Sequence, residues 1–145
     1  MMGMVWPTLP ALASDARQAI VAPDAPAAIG PYSQAILAGD TLYLSGQIGV
    51  DPESGKFASE EVTGQTEQAL RNLDAVLKAA GMGMDDVVQA QVFLADLDDF
   101  AAMNQVYGRW FDLPPARATV QVARLPRDAR VEIMLVAVRG RSGER

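Results

Sequence analysis

The sequence predicts an α+β domain, a mixed β-sheet of about six strands with two helices packed on one face. Three observations carry that expectation. Apolar segments follow one another in the order strands, helix, strand, helix, strands. Two stretches, Ser59 to Ala80 and Asp98 to Phe111, carry apolar stripes at helical spacing. Val131 to Val138 is apolar on both faces, the character of a strand covered on both sides.

The elements follow in chain order. Residues 1–16 are apolar, broken by Pro7 and Pro10, and carry no basic residue, so they read as an extension rather than an export signal. The single domain is expected over 17–140, with 141–145 as a tail. Arg17 to Ala22 reads as a short strand, Pro23 to Pro31 as a loop, Tyr32 to Leu37 as a strand. Gly39-Asp40 is a tight turn, with Thr41 to Ile48 as its hairpin partner. Gly46 inside that run marks a bulge or a close approach by a ligand or backbone. Val62, Ala69, Leu73, Val76, Leu77 and Ala80 form the stripe of the first helix, with Ser59 as N-cap and Gly81 just past its end. Asp86 to Ala95 is a strand in which Val88, Ala90, Val92 and Leu94 alternate with Gln89 and Gln91. Asp96 or Asp98 caps the second helix, whose stripe is Phe100, Met103, Tyr107 and Trp110 or Phe111, with Asn104 at its edge.

Pro114 to Val138 closes the domain and reads as two strands joined by a short turn. Arg117, Thr119 and Gln121 share one face of the first. Glu132 is the one ionised residue inside the second. One hairpin register places Glu132 on the face of Arg117; a slip of one residue separates them. Helices on one side of the sheet leave its other side bare, and a domain of this length has no spare element to cover it. A homo-oligomer with sheets packed on one another is the direct expectation.

Composition removes much chemistry. The 145 residues contain no cysteine and no histidine, which excludes disulfides, thiolate nucleophiles, Cys-ligated zinc and any Ser-His-Asp triad. A net charge of −6 argues against nucleic acid as the main partner. No stretch is long enough to span a membrane, and a cytoplasmic location is expected. The acidic run Asp96 to Asp99 reads as a helix cap and solvated face, not a metal site.

Gly30-Pro31-Tyr32-Ser33-Gln34-Ala35, Ser45-Gly46-Gln47-Ile48, Pro115-Ala116-Arg117-Ala118-Thr119, Leu125-Pro126 and Val131-Glu132-Ile133 together resemble the Rid (YjgF) family, which contains the reactive intermediate deaminases. The resemblance runs from about Arg17 to Arg139. It implies a chorismate-mutase-like (L-PSP-like) α+β fold and a homotrimer with sites in clefts between subunits. It also implies hydrolysis of enamines and imines such as 2-aminoacrylate or 2-iminobutanoate to 2-keto acids and ammonia, with no metal or organic cofactor.

On that resemblance Arg117 binds the substrate carboxylate, for which a planar guanidinium is suited, and Glu132 orients or activates water. Tyr32, Ser45, Gly46, Asn104 and Thr119 line the substrate site. Taken without the family, Arg117 reads as a salt-bridge residue at a strand end, and Glu132 as a structural ion-pair partner. This chain departs from the family where Met134 replaces a common second glutamate, and the segment between Phe111 and Pro115 is short. Two other readings stand beside the first. One is deamination of another enamine in a catabolic pathway. The other is a non-catalytic trimer that binds a small carboxylate or a partner protein. The ribonuclease label sometimes attached to the family ranks last, given the charge and the lack of histidine.

Overall fold

Residues 16–140 are described by the structure, a computed structural model. The expected extension, Ala16 apart, and the tail at 141–145 lie outside the described residues. A sheet of seven strands is built from β1 (Gln18–Ile20), β2 (Ala35–Ala38), β3 (Thr41–Leu44), β4 (Gln47–Ile48), β5 (Val87–Leu94), β6 (Ala116–Gln121) and β7 (Val131–Val138). Its order is β1-β2-β3-β7-β5-β6, with β4 also paired to β7. Helices α1 (Val62–Ala79) and α2 (Phe100–Tyr107) pack on one face.

The turn at Gly39-Asp40 is a two-residue hairpin connection, with Ala38 opposite Thr41 and Gly39 at φ 60°. The expected strand Thr41 to Ile48 is split in two. Tyr43 faces Val136 while Gln47 faces Ile133, so three residues, Leu44 to Gly46, lie opposite two, Met134 and Leu135. That extra residue is a β-bulge, and Gly46 sits in it. Tyr32 to Gln34 precede β2 rather than belonging to it. They are held by Gln34, whose side chain accepts from the Ala22 N–H at 2.7 Å and donates to the carbonyls of Ala22 and Pro26.

The expected hairpin of the last two strands does not form. β6 pairs in parallel with β5, and β7 runs antiparallel between β3 and β5. The crossover through α2 lays β6 beside the strand that precedes that helix, which leaves the centre of the sheet to β7. A central strand has neighbours on both edges, and β7 buries Val131, Ile133, Leu135 and Ala137 under the helices while Glu132, Met134, Val136 and Val138 face the side that no element of the protomer covers. β6, at the edge, alternates. In β5 the expected inward residue Val88 is 48% exposed, because the register shifts between Val87 and Gln89 and Val88 bulges out. Ala90, Val92 and Leu94 face the core as expected.

The core lies between the sheet and the helices. Val131, Ile133, Leu135 and Ala137 of β7 meet Leu70, Leu73, Val76 and Leu77 of α1 in one buried cluster. α1 begins at Val62, later than the expected Ser59; the Ser59 hydroxyl accepts from the Glu61 N–H just before the helix. Gly81, at φ 72°, ends the helix as expected. Asn72 is 1% exposed, and its amide donates to the carbonyls of Ile48 (3.2 Å) and Val50 (2.9 Å). It ties the segment after β4 to the helix layer. Asn72→Ala leaves both carbonyls without this donor and is expected to destabilise the fold by about 2 kcal/mol, read by chemical denaturation. An unchanged unfolding midpoint would contradict it.

Candidate functional site: two half-sites on opposite faces of the sheet

Register decides which side chains meet. Leu135 of β7 is level with Ala90, and Ala90 with Arg117, so Arg117 shares the helix-covered face. Glu132 is level with Ile48 on one side and Phe93 on the other, so it points to the uncovered face. The two residues therefore stand on opposite sides of the sheet with β5 between their strands. Neither of the two hairpin registers left open by the sequence forms, and Arg117 does not meet Glu132 within the protomer.

Glu132 anchors the first half-site. Tyr32, Ser45, Gly46, Glu132 and Met134 line a cavity of about 600 Å³, with Arg127 at its wall. The bulge brings the Gly46 backbone against Glu132. A Cβ on residue 46 would lie 2.9 Å from the Glu132 carboxyl carbon and closer still to Oε1, so any side chain there collides with the carboxylate. Gly46 therefore lies in a bulge as expected, and what comes close to it is the Glu132 side chain rather than a ligand or another backbone. No hydrogen bond or ion pair engages the Glu132 side chain among the described residues. Burial raises its pKa above the ordinary 4.5. Ser45 donates its hydroxyl to the Ser33 carbonyl at 2.6 Å, which fastens the bulge to the Pro31-Tyr32-Ser33 segment. Tyr32 is half exposed on the cavity wall, its ring against Gly30. The wall at 126–128 carries two residues in the left-handed region, Arg127 and Asp128, each at φ 59°. Arg127 lies 5.3 Å over the Phe57 ring and donates to the Gly55 carbonyl, joining this wall to the loop before α1.

Arg117 anchors the second half-site, at the seam of β6 and α2. Its guanidinium lies over the Tyr107 ring at 4.6 Å and near Phe100 at 5.6 Å. No ion pair engages it among the described residues. Three buried polar atoms in this region have no hydrogen-bond partner: Asn104 Oδ1, Tyr107 OH and Thr119 Oγ1. Unpaired buried polar groups are costly, and three of them on neighbouring elements mark this seam as one that lacks polar partners within the protomer. Burial raises the Tyr107 phenol pKa, and the neighbouring Arg117 charge offsets part of that rise. Tyr107 reads in the sequence only as a core residue. Its spacing of three from Asn104 puts both on one helix side, but nothing local shows that β6 lies opposite.

The sequence-named residues thus fall into two groups. Tyr32, Ser45, Gly46 and Glu132 converge on one side, and Asn104, Arg117 and Thr119 gather on the other. The uncovered face around Glu132 is apolar: Tyr43 is 54% exposed, Val120 47% and Val138 40%. The acidic run behaves as read, since Asp96 accepts from the Asp98 N–H and Asp99 pairs with Arg130 at 3.5 Å. Among the described residues no group of three or more carboxylates is placed to hold a metal ion, and no helix is long and apolar enough to cross a membrane.

Residues 22–139 match the family model described as Endoribonuclease L-PSP. The chain is 50% identical over 130 residues to the 2-iminobutanoate/2-iminopropanoate deaminase of Capra hircus, covering 89% of this chain and 95% of that one. It is 49% identical to the chloroplastic Reactive Intermediate Deaminase A of Arabidopsis thaliana, over 86% of this chain and 68% of the relative. Among solved structures, E. coli TdcF with bound serine superposes with a TM-score of 0.82 at 42% identity, covering 85% of this chain and 99% of that one.

Proposed function

Because the chain belongs to the Rid family, the group matched by the Endoribonuclease L-PSP model, we propose that it hydrolyses reactive enamines and imines such as 2-aminoacrylate and 2-iminobutanoate to 2-keto acids and ammonia. The observation that carries this reading is the pair of unsatisfied charged groups: Arg117 without a carboxylate and Glu132 without a cation, in a chain half identical to a named deaminase.

Two incomplete half-sites on opposite faces become one site when the Glu132 side of one protomer meets the β6–α2 seam of another. A homotrimer supplies three such meetings, and it covers the apolar face that Tyr43, Val120 and Val138 expose. In that cleft Arg117 grips the substrate carboxylate in a bidentate contact. Thr119 and Asn104 supply hydrogen bonds from the same protomer. Tyr32, Ser45 and Gly46 close the site from the other.

The enamine is already the tautomer of an imine, whose carbon is electrophilic. Glu132 takes a proton from a water as its oxygen bonds to that carbon. That proton passes to the nitrogen to give the carbinolamine, and the carbinolamine's hydroxyl proton then moves through Glu132 to the nitrogen as the C–N bond breaks, which releases ammonia and leaves the keto acid and an ionised Glu132. The residues need no cofactor for these steps. RNA cleavage is not part of this reading, given the net charge of −6 and the lack of histidine. A cytoplasmic setting, beside pyridoxal-phosphate enzymes that release such intermediates, completes it.

A lyase that generates 2-aminoacrylate or 2-iminobutanoate in place, with semicarbazide trapping what remains, tests the activity. The protein is expected to suppress the trapped signal; a signal unchanged on both substrates would overturn the reading. The bulge adds a second expectation. Gly46→Ala pushes the Glu132 carboxylate aside, and a displacement of ångström scale is expected to cost about a hundredfold in turnover. Full activity in that variant would show that Glu132 needs no such placement.

A further inference from the structure

We infer that Tyr107 is a positioning residue for Arg117, holding the guanidinium by the face of its ring so that its N–H fork stays open to a substrate carboxylate. This deepens the proposed function and rests on it.

Arg117 is a long side chain on an edge strand, with many rotamers open to it. An ion pair with a protein carboxylate would fix it but would occupy the donors that the substrate needs. Stacking on an aromatic face fixes the plane and consumes no N–H group. The geometry is of that second kind, at 4.6 Å from the Tyr107 ring, with Phe100 as a more distant flank at 5.6 Å. The platform is itself immobile: Tyr107 is 5% exposed and packs against Phe111, ring centroids 4.9 Å apart. The Tyr107 hydroxyl makes no hydrogen bond of good geometry, although it lies close enough to the Arg117 guanidinium for that group to lower its pKa; packing of the ring against Phe111 holds the residue in place.

The test replaces ring electron density without changing ring shape. Wild type, Tyr107→Phe and variants carrying phenylalanine with one, two or three ring fluorines at position 107 are titrated with 2-oxobutanoate by calorimetry, with thermal unfolding as a folding control. Tyr107→Phe is expected to bind within about twofold of wild type, and Kd to rise stepwise with fluorination to about tenfold. Affinity that is flat across the series, or a tenfold loss already in Tyr107→Phe, would overturn the inference, the latter by assigning the effect to the hydroxyl. The lyase-coupled assay separates the two levels of failure. A wild type that binds and turns over, with a flat series, removes only the role of Tyr107. A wild type that neither binds the keto acid nor turns over the imine removes the functional reading as well.

Discussion

Arg117→Ala is expected to abolish imine turnover while leaving the fold intact. Two charge-assisted hydrogen bonds to the substrate carboxylate are worth roughly 4 kcal/mol together, which corresponds to about a thousandfold in kcat/KM. The fold should tolerate the change, because no ion pair engages Arg117 among the described residues and its strand is at the edge of the sheet. Its loss removes only the stacking on Tyr107 and Phe100. Arg117→Lys keeps the charge but loses both the fork and the flat face that meets Tyr107, and most of the activity should go with them. The lyase-coupled assay reads both variants. A lysine variant with full activity would mean that charge alone is recognised.

Glu132→Gln carries the second large effect, and it separates activity from stability. If the carboxylate moves the proton, the amide should cost about a thousandfold in kcat, within the usual range for a general acid–base group. The wild-type rate should also fall as pH drops through a value above the ordinary 4.5, since burial raises this carboxyl. Stability moves the opposite way. A carboxyl with a raised folded pKa favours the folded state when protonated, below 4.5, and that advantage is lost as pH rises through the folded value. In a protomer apart from its neighbours, the wild type at neutral pH therefore carries an ionised, partly buried and unpaired group that glutamine lacks. Glu132→Gln should melt higher than wild type at pH 7, with the gap closing in acid. A variant that is instead less stable at pH 7, with turnover retained, would make Glu132 a structural partner.

The two phenotypes have one origin. A carboxylate held without a partner beside the Gly46 bulge is poor for the fold and suited to taking a proton.

How far the sequence could be read depended on the range of the interaction. Val131 to Val138 was legible to the residue, because a strand apolar on both faces has few other readings. The stripe of α1 was legible for the same local reason, and every residue in it faces the core. Alternation in β6 showed that Arg117 and Thr119 share a face, but alternation reports a face and not a neighbour. The pairing of β6 with β5 is made across α2, and the insertion of β7 between β3 and β5 joins segments about ninety residues apart. The expected hairpin does not form, and with it goes the one register that would have put Arg117 and Glu132 on one face of the same chain. The motifs named the candidates, and register alone shows that they lie on opposite faces. Val88 was misread because a bulge shifts the period of two without a glycine or proline to mark it.

In the proposed trimer, one working site needs Arg117 from one protomer and Glu132 from another. Mixing the inactive Arg117→Ala and Glu132→Gln proteins after reversible dissociation tests this requirement most directly. Random reassembly at equal amounts should restore about a quarter of the wild-type rate, since three in four trimers are mixed and each mixed trimer rebuilds one intact site of three. Activity that stays at the level of the separate variants, in mixtures shown by mass spectrometry to have exchanged subunits, would contradict the account.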